Sequence, residues 1–118
     1  MANDKDFILK NPVEVGGPTN VTLGSITGSA INLSTGNYFK DTLAANTTYT
    51  ISNAGNVQSF QLEVTGASTY TITWPSSIEF AGGVAPAAPA TGETDIFTFS
   101  TDDGGTSYIG TKTADNLS

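Results

Sequence analysis

The stretch Ser59-Phe-Gln-Leu-Glu-Val-Thr-Gly-Ala-Ser-Thr-Tyr-Thr-Ile-Thr-Trp-Pro75 decides the fold. Phe60, Leu62 and Val64 alternate with Gln61, Glu63 and Thr65. After Gly66-Ala67-Ser68, Tyr70, Ile72 and Trp74 alternate with Thr71 and Thr73. Successive side chains on a strand point to opposite faces, so each half has one apolar and one polar face. Two such halves around a small-residue turn predict a β-hairpin with one apolar face. That face carries the single Trp of the chain and must be covered. The flanking chain supplies the cover.

The 118 residues suit one domain with one core. Thr and Gly are abundant. Thr, branched at Cβ, fits a pleated strand better than a helix. No window has the i, i+3, i+4, i+7 apolar spacing of an amphipathic helix. The composition predicts an all-β protein.

Composition also narrows the function. There is no Cys and no His. Disulfides and thiolate metal sites are therefore excluded, together with the commonest general base. Four Lys/Arg against eleven Asp/Glu give a formal charge of −7. A chain so acidic is not expected to bind nucleic acid or an anionic membrane surface. The start, Met1-Ala-Asn-Asp-Lys-Asp6, lacks the apolar run of a signal peptide, and no run reaches membrane-spanning length. The chain is expected to be made in a cytoplasm.

Three segments follow from Pro and Gly placement. Residues 1–28 read as an extended N-terminal arm that makes short edge pairings. Phe7-Ile8-Leu9 and Val13-Glu14-Val15 are apolar patches separated by Asn11-Pro12 and followed by Gly16-Gly17-Pro18. Fully extended, such an arm reaches roughly 80 Å, so it packs either on its own domain or on a neighbour. Residues 29–113 read as a β-sandwich domain, and residues 114–118 as a C-terminal tail. Within the domain, Ile31-Asn-Leu33, Tyr38–Leu43, Thr47–Ser52, Ile78–Phe80, Asp95–Thr101 and Ser107–Lys112 join the two halves already quoted. This makes about seven or eight short strands at regular spacing, the pattern of an antiparallel sandwich or small jelly roll. Phe39, Tyr49, Ile51, Phe60, Leu62, Val64, Ile72, Trp74, Phe97 and Phe99 form the expected core. Ala81–Gly92 is a Pro-rich surface loop.

No constellation carries a reaction. Asp102-Asp103-Gly104-Gly105 lacks the spacing and closing Glu of a calcium loop and reads as a turn whose Asp side chains bond local backbone. Glu63 alternates with core residues, so it faces solvent rather than pairing with Glu79 in a cleft. Gly24-Ser25-Ile26 and Gly28-Ser29-Ala30 do not form a nucleophile elbow, and no His is present to serve as base. Gly82-Gly83 lies in the Ala/Pro loop, not where a strand meets a helix, so it is no phosphate cradle. Tyr38 and Tyr108, if exposed, would be the residues of a sugar-stacking surface. No catalytic residue, cofactor or metal is expected.

The runs Ile31–Phe39, Leu43–Asn53 and Ser59–Val64, then Tyr70-Thr-Ile-Thr-Trp-Pro75 and Phe97–Tyr108, resemble a β module of tailed-bacteriophage structural proteins. The opening Asp6-Phe-Ile-Leu-Lys-Asn11 is similar to the start of virion proteins from marine and cyanobacterial phages. The resemblance covers most of residues 4–110 and brings no catalytic motif. It implies a non-enzymatic virion protein assembled in the host cytoplasm. In that family the module is often part of a long tail fibre. Here the chain has its own Met1, no heptads and no second domain, so it reads as a complete small protein. The resemblance then implies a capsid decoration or cement protein bound to the head lattice in many copies. Its partners would be the major capsid protein or other virion proteins. It would form a homo-oligomer, with a trimer as one option. A tail or tail-fibre module is the alternative in the same setting, and a carbohydrate-binding module for host attachment is the alternative in another class. Phe7, Ile8, Leu9, Val13 and Val15 are the expected partner contacts, with the loop around 81–92 as a second interaction region.

Overall fold

The computed structural model describes residues 21–118. These residues form an all-β sandwich of short strands. The strands are β1 (Ile26–Thr27), β2 (Ala30–Asn32), β3 (Tyr38–Thr42), β4 (Thr47–Thr48), β5 (Thr50–Ser52), β6 (Gln58–Thr65), β7 (Ile72–Thr73), β8 (Ile78–Phe80), β9 (Thr94–Thr101) and β10 (Tyr108–Leu117). One layer is a five-stranded sheet in the order β3-β6-β9-β10-β8. Two small sheets, β1-β2-β5 and β4-β7, make up the rest.

The expected hairpin does not form. β6 pairs antiparallel with β9 over eight positions, from Gln58↔Thr101 to Thr65↔Thr94, and parallel with β3. β7 pairs instead with β4, in parallel. The chain leaves the large sheet at Gly66. There the Gly66 N–H donates to the Glu93 carbonyl and its own carbonyl accepts from the Gly92 N–H, both at 2.9 Å. A Cβ at Gly66 would strike the Ala90 and Pro89 carbonyls. Gly66 is therefore a crossing point of two backbones, not the first residue of a hairpin turn.

The sheets are mixed rather than antiparallel throughout. The pairs β2/β5, β3/β6, β4/β7 and β8/β10 are all parallel. A parallel pair needs a crossover between its strands. For β2/β5, β3/β6 and β4/β7 the crossovers include strands of another sheet, whereas β8 and β10 are joined through β9 of the same sheet. The run Thr47–Ser52, expected as one strand, divides at Tyr49: β4 joins β7 while β5 joins β2. Tyr49 itself is buried at that division.

Alternation places the core as expected for most residues. Phe39, Tyr49, Phe60, Leu62, Val64, Phe97 and Phe99 are fully buried, joined by Ile31, Leu33, Leu43, Ile78 and Tyr108. Ile51, Ile72 and Trp74 pack against this cluster but stay partly exposed. Phe60 stacks on Phe99 at 5.0 Å between ring centroids, and Trp74 sits edge-on to Phe97 at 4.9 Å. Such aromatic pairs add about 0.5–1.5 kcal/mol beyond the area they bury.

The arm and tail need revision where they are described. Within residues 21–28, Leu23 bridges to Tyr38 and β1 pairs antiparallel with β2, so this part of the arm makes short edge pairings on its own domain. Residues 114–117 are not a free tail. β10 continues through a bulge after Lys112, and Ala114 pairs with Ile96 and Leu117 with Thr94. The reason is Asp95, an inward-facing carboxylate with 0% exposure. Its Oδ1 accepts from the Asn116 N–H at 2.9 Å. Its Oδ2 faces the Lys112 ammonium at 3.1 Å. A buried carboxylate must be paired, and the end of β10 supplies both partners.

Asp95→Ala leaves Lys112 without its buried partner and the Asn116 N–H without an acceptor. The expected loss is about 3–5 kcal/mol, the usual result of breaking a buried ion pair. Denaturant unfolding measures it, and amide exchange at Asn116 should quicken more than exchange at Phe60.

Candidate functional site

The Pro-rich loop 81–92 and the strand β7 border two open recesses. One, of about 720 Å³, is lined by Ile72, Thr73, Trp74, Pro75, Ile78, Glu79, Phe80, Gly83 and Ala85. A second, of about 700 Å³, lies on the other side of Ile72, between Ser68–Thr71 and Ala87–Thr91. Both volumes fall in the range of about 300–1,000 Å³ typical of ligand pockets. Their walls mix the aromatic rings of Trp74, Phe80 and Tyr70 with small Ala, Gly, Ser and Thr residues. Among the described residues Glu79 is the one ionised side chain that lines the recesses.

Local rules explain the shape. Pro75 cannot donate to a ladder, so β7 stops short of it. Gly82 and Gly83 both take positive φ, near +73° and +72°, and turn the chain after β8. Beyond them Ala and Pro side chains are too small to fill the space opposite Trp74. The indole spans the gap: it touches Tyr49, Phe80, Phe97 and Phe99 with centroid separations of 4.9–5.6 Å. Its Nε1–H is buried and has no hydrogen-bond partner among the described residues.

The other residues singled out in the sequence do not converge. Glu63 lies on β6 and Glu79 on β8, with β9 and β10 between them. Three strand spacings are about 14 Å, too far for the two carboxylates of a glycosidase. Glu63 accepts a hydrogen bond from the Tyr38 hydroxyl at 2.7 Å and has Lys40 at 3.9 Å. That bond, with burial and the Glu63 charge, pushes the Tyr38 hydroxyl pKa up. Tyr108, taken as a candidate exposed ring, is 3% exposed and packs edge-on to Phe60. The pair Tyr38 and Tyr108 therefore does not form a sugar-stacking surface. Phe7, Ile8, Leu9, Val13 and Val15 lie outside the described residues.

Ile78, Phe80 and Ala88 are walls that residue-by-residue reading missed as a group. The available signal was the loop itself: two glycines followed by Ala and Pro, next to the only Trp. No family model matches the chain, and neither a curated protein nor a solved structure matches it.

The Asp102–Gly105 turn is structural. The Asp103 carboxylate accepts from the Ser107 N–H at 2.9 Å, the Ser107 hydroxyl at 2.7 Å and the Thr101 hydroxyl at 2.9 Å. The Ser107 backbone bond, then the Ser107 and Thr101 hydroxyls, hold its pKa down to about 2. A carboxylate with a depressed folded-state pKa stabilises the fold above its unfolded value. That contribution fades as pH falls from about 4 towards 2. The stability gap between the parent and Asp103→Asn should therefore be widest at neutral pH and close at about pH 2. Thermal midpoints recorded from pH 7 to pH 2 check this.

Proposed function

We propose that this chain is a non-enzymatic structural protein of a tailed-phage virion, a decoration or cement protein that binds the head lattice in many copies. The resemblance of residues 4–110 supports the setting. One geometric observation supports the mode of action. Val21 and Leu23 are 61% and 63% exposed where the chain runs onto the β3 edge. They extend the apolar series of Phe7, Ile8, Leu9, Val13 and Val15 to the border of the sandwich. Apolar side chains in such number along a leading segment need a surface to bury them. A neighbouring virion protein is that surface on this reading. The mechanism is burial repeated over a symmetric lattice, with strand addition through main-chain hydrogen bonds.

The charge fits the same role. Among the described residues Lys40 and Lys112 both face carboxylates of their own domain. The remaining acidic surface keeps the outer faces of many crowded copies apart.

Removal of residues 1–24 is expected to abolish association with purified heads while circular dichroism of the domain stays β-rich. Co-sedimentation measures the first, and quantitative mass spectrometry of whole particles should find hundreds of copies. A handful of copies would move the protein to the tail, and undiminished binding by the shortened chain would overturn the role of the arm.

A further inference from the structure

The cavity beside Trp74 is bordered by two strand edges to which no strand is paired among the described residues. In the β4-β7 ladder the Thr71 and Thr73 carbonyls accept from the Thr47 and Tyr49 N–H groups. By alternation, Ile72 turns its own N–H and C=O away from β4. Among the described residues β7 has no partner on that side. β8 is the outer strand of the five-stranded sheet and, among the described residues, is bonded to β10 alone. The Tyr108 N–H donates to the Ser77 carbonyl, so Phe80, in register with Gly110, turns its main-chain groups outward. Ile72 and Phe80 both line the 720 Å³ cavity. It therefore offers main-chain partners on two sides and apolar walls from Trp74, Ile78 and Phe80.

We propose that this cavity receives residues 7–15 of a second copy of the chain. The inference rests on the arm-mediated assembly proposed above and names the surface that takes the arm. Three observations select this occupant. The first is place. Twenty residues precede Val21, and the chain joins the sandwich on β3, at the opposite edge of the sheet from β8. Four strand spacings, about 19 Å, separate the edges. An arm leaving one copy at β3 and seated beside β8 of the next repeats head to tail, the arrangement that generates rings and arrays. A return to its own cavity across the large sheet would run over Gln61, Thr98 and Thr111, a polar track whose strands are already paired.

The second is pattern. Phe7-Ile8-Leu9 is a short unbroken apolar run, and Pro12 stops any ladder before Val13 and Val15. The two open edges that the described residues present are two and three residues long, which suits such a broken strand better than a long one. The third is charge. Asp6 and Lys10 bracket the Phe7–Leu9 unit, and Lys10 is the end that can meet Glu79, the ionised side chain on the rim. Lys40 and Lys112 are engaged elsewhere in their own domain.

The chain has no Cys, so engineered thiols report without background. Thr73, exposed on β7, is changed to Cys in the full chain and combined in turn with Phe7→Cys, Ile8→Cys and Leu9→Cys. Thr73→Cys alone and Thr111→Cys with each arm variant serve as controls. The variants are oxidised and run without reductant, with intact mass recorded. Circular dichroism confirms that each is folded. At least one Thr73 pair should give disulfide-linked dimers and higher multiples at several times the yield of the controls. A monomer that has lost two thiols would place the arm in its own cavity and overturn the proposal. So would equal yields from the controls, or no disulfide with any pair. Particle binding tells the two readings apart. A chain that binds heads without cross-linking keeps the virion role and loses this cavity. A chain that cross-links without binding heads does the reverse.

Discussion

Phe60 faces Phe99 across the β6–β9 ladder, and Leu62 faces Phe97 one step further on. This antiparallel register, eight residues long, is the longest pairing that uses both strands without a break. The other elements take their positions from it. β3 adds to its free edge on one side and β10 on the other. Tyr108 and Gly110 meet it from β10, and Gly110 has no Cβ because one would lie 2.8 Å from the Phe99 ring. Truncating a buried Phe typically costs about 3–5 kcal/mol, much of the stability of a domain this size. A fold with so few long strands depends on these rings more than on any ladder outside the central pair.

The same register creates the cavity. Once β6 is committed to β9, its outgoing chain cannot return beside it. It must cross at Gly66 and climb into the other layer, where β7 finds only the two residues of β4. Trp74 is carried back over Phe97 and Phe99 as a partial lid. The Ala81–Gly92 loop then closes the layer with side chains too small to complete the packing. Protein interiors ordinarily leave few voids larger than a water molecule. The two large recesses therefore follow from how this topology ends.

The sequence made the strands legible but not their partners. Alternation in 58–65 and 94–101 found β6 and β9, their inward faces and most of the core. It could not tell β7 from a hairpin partner, because the turn residues Gly66-Ala67-Ser68 suit a hairpin equally well. What decides the issue is contact with Glu93 and Gly92, some 27 residues away, which no local pattern encodes. Parallel pairing is hidden for the same reason. Tyr108 was more accessible to reasoning: Tyr108, Gly110 and Lys112 share one face of β10, and a glycine between them marks a close approach. The tail was missed because Asp95 reads as a solvent residue until its inward position on β9 is counted. The recess beside Trp74 was legible only as composition, small residues next to a large one.

Open strand edges invite unwanted pairing, and the two edges of the large sheet are guarded differently. β3 is covered at Tyr38 by Leu23 and carries Lys40 and Asp41, charges that disfavour a second sheet. β8 has three residues and one charge, Glu79, with the cavity beside it. A flat strand from a stranger gains little there, since only a short run of backbone is exposed. A segment with apolar side chains of the right spacing gains the walls as well as the backbone. Val57 and Ile109, 79% and 67% exposed near the same end of the sheet, lie beside Asp102 and Glu79 and so do not form an uninterrupted apolar patch. The guarded edge and the receptive edge therefore make the domain directional. On the assembly proposed above, the leading segment of one copy would meet the receptive β8 edge of the next while the guarded β3 edge stays closed to sheet-to-sheet pairing.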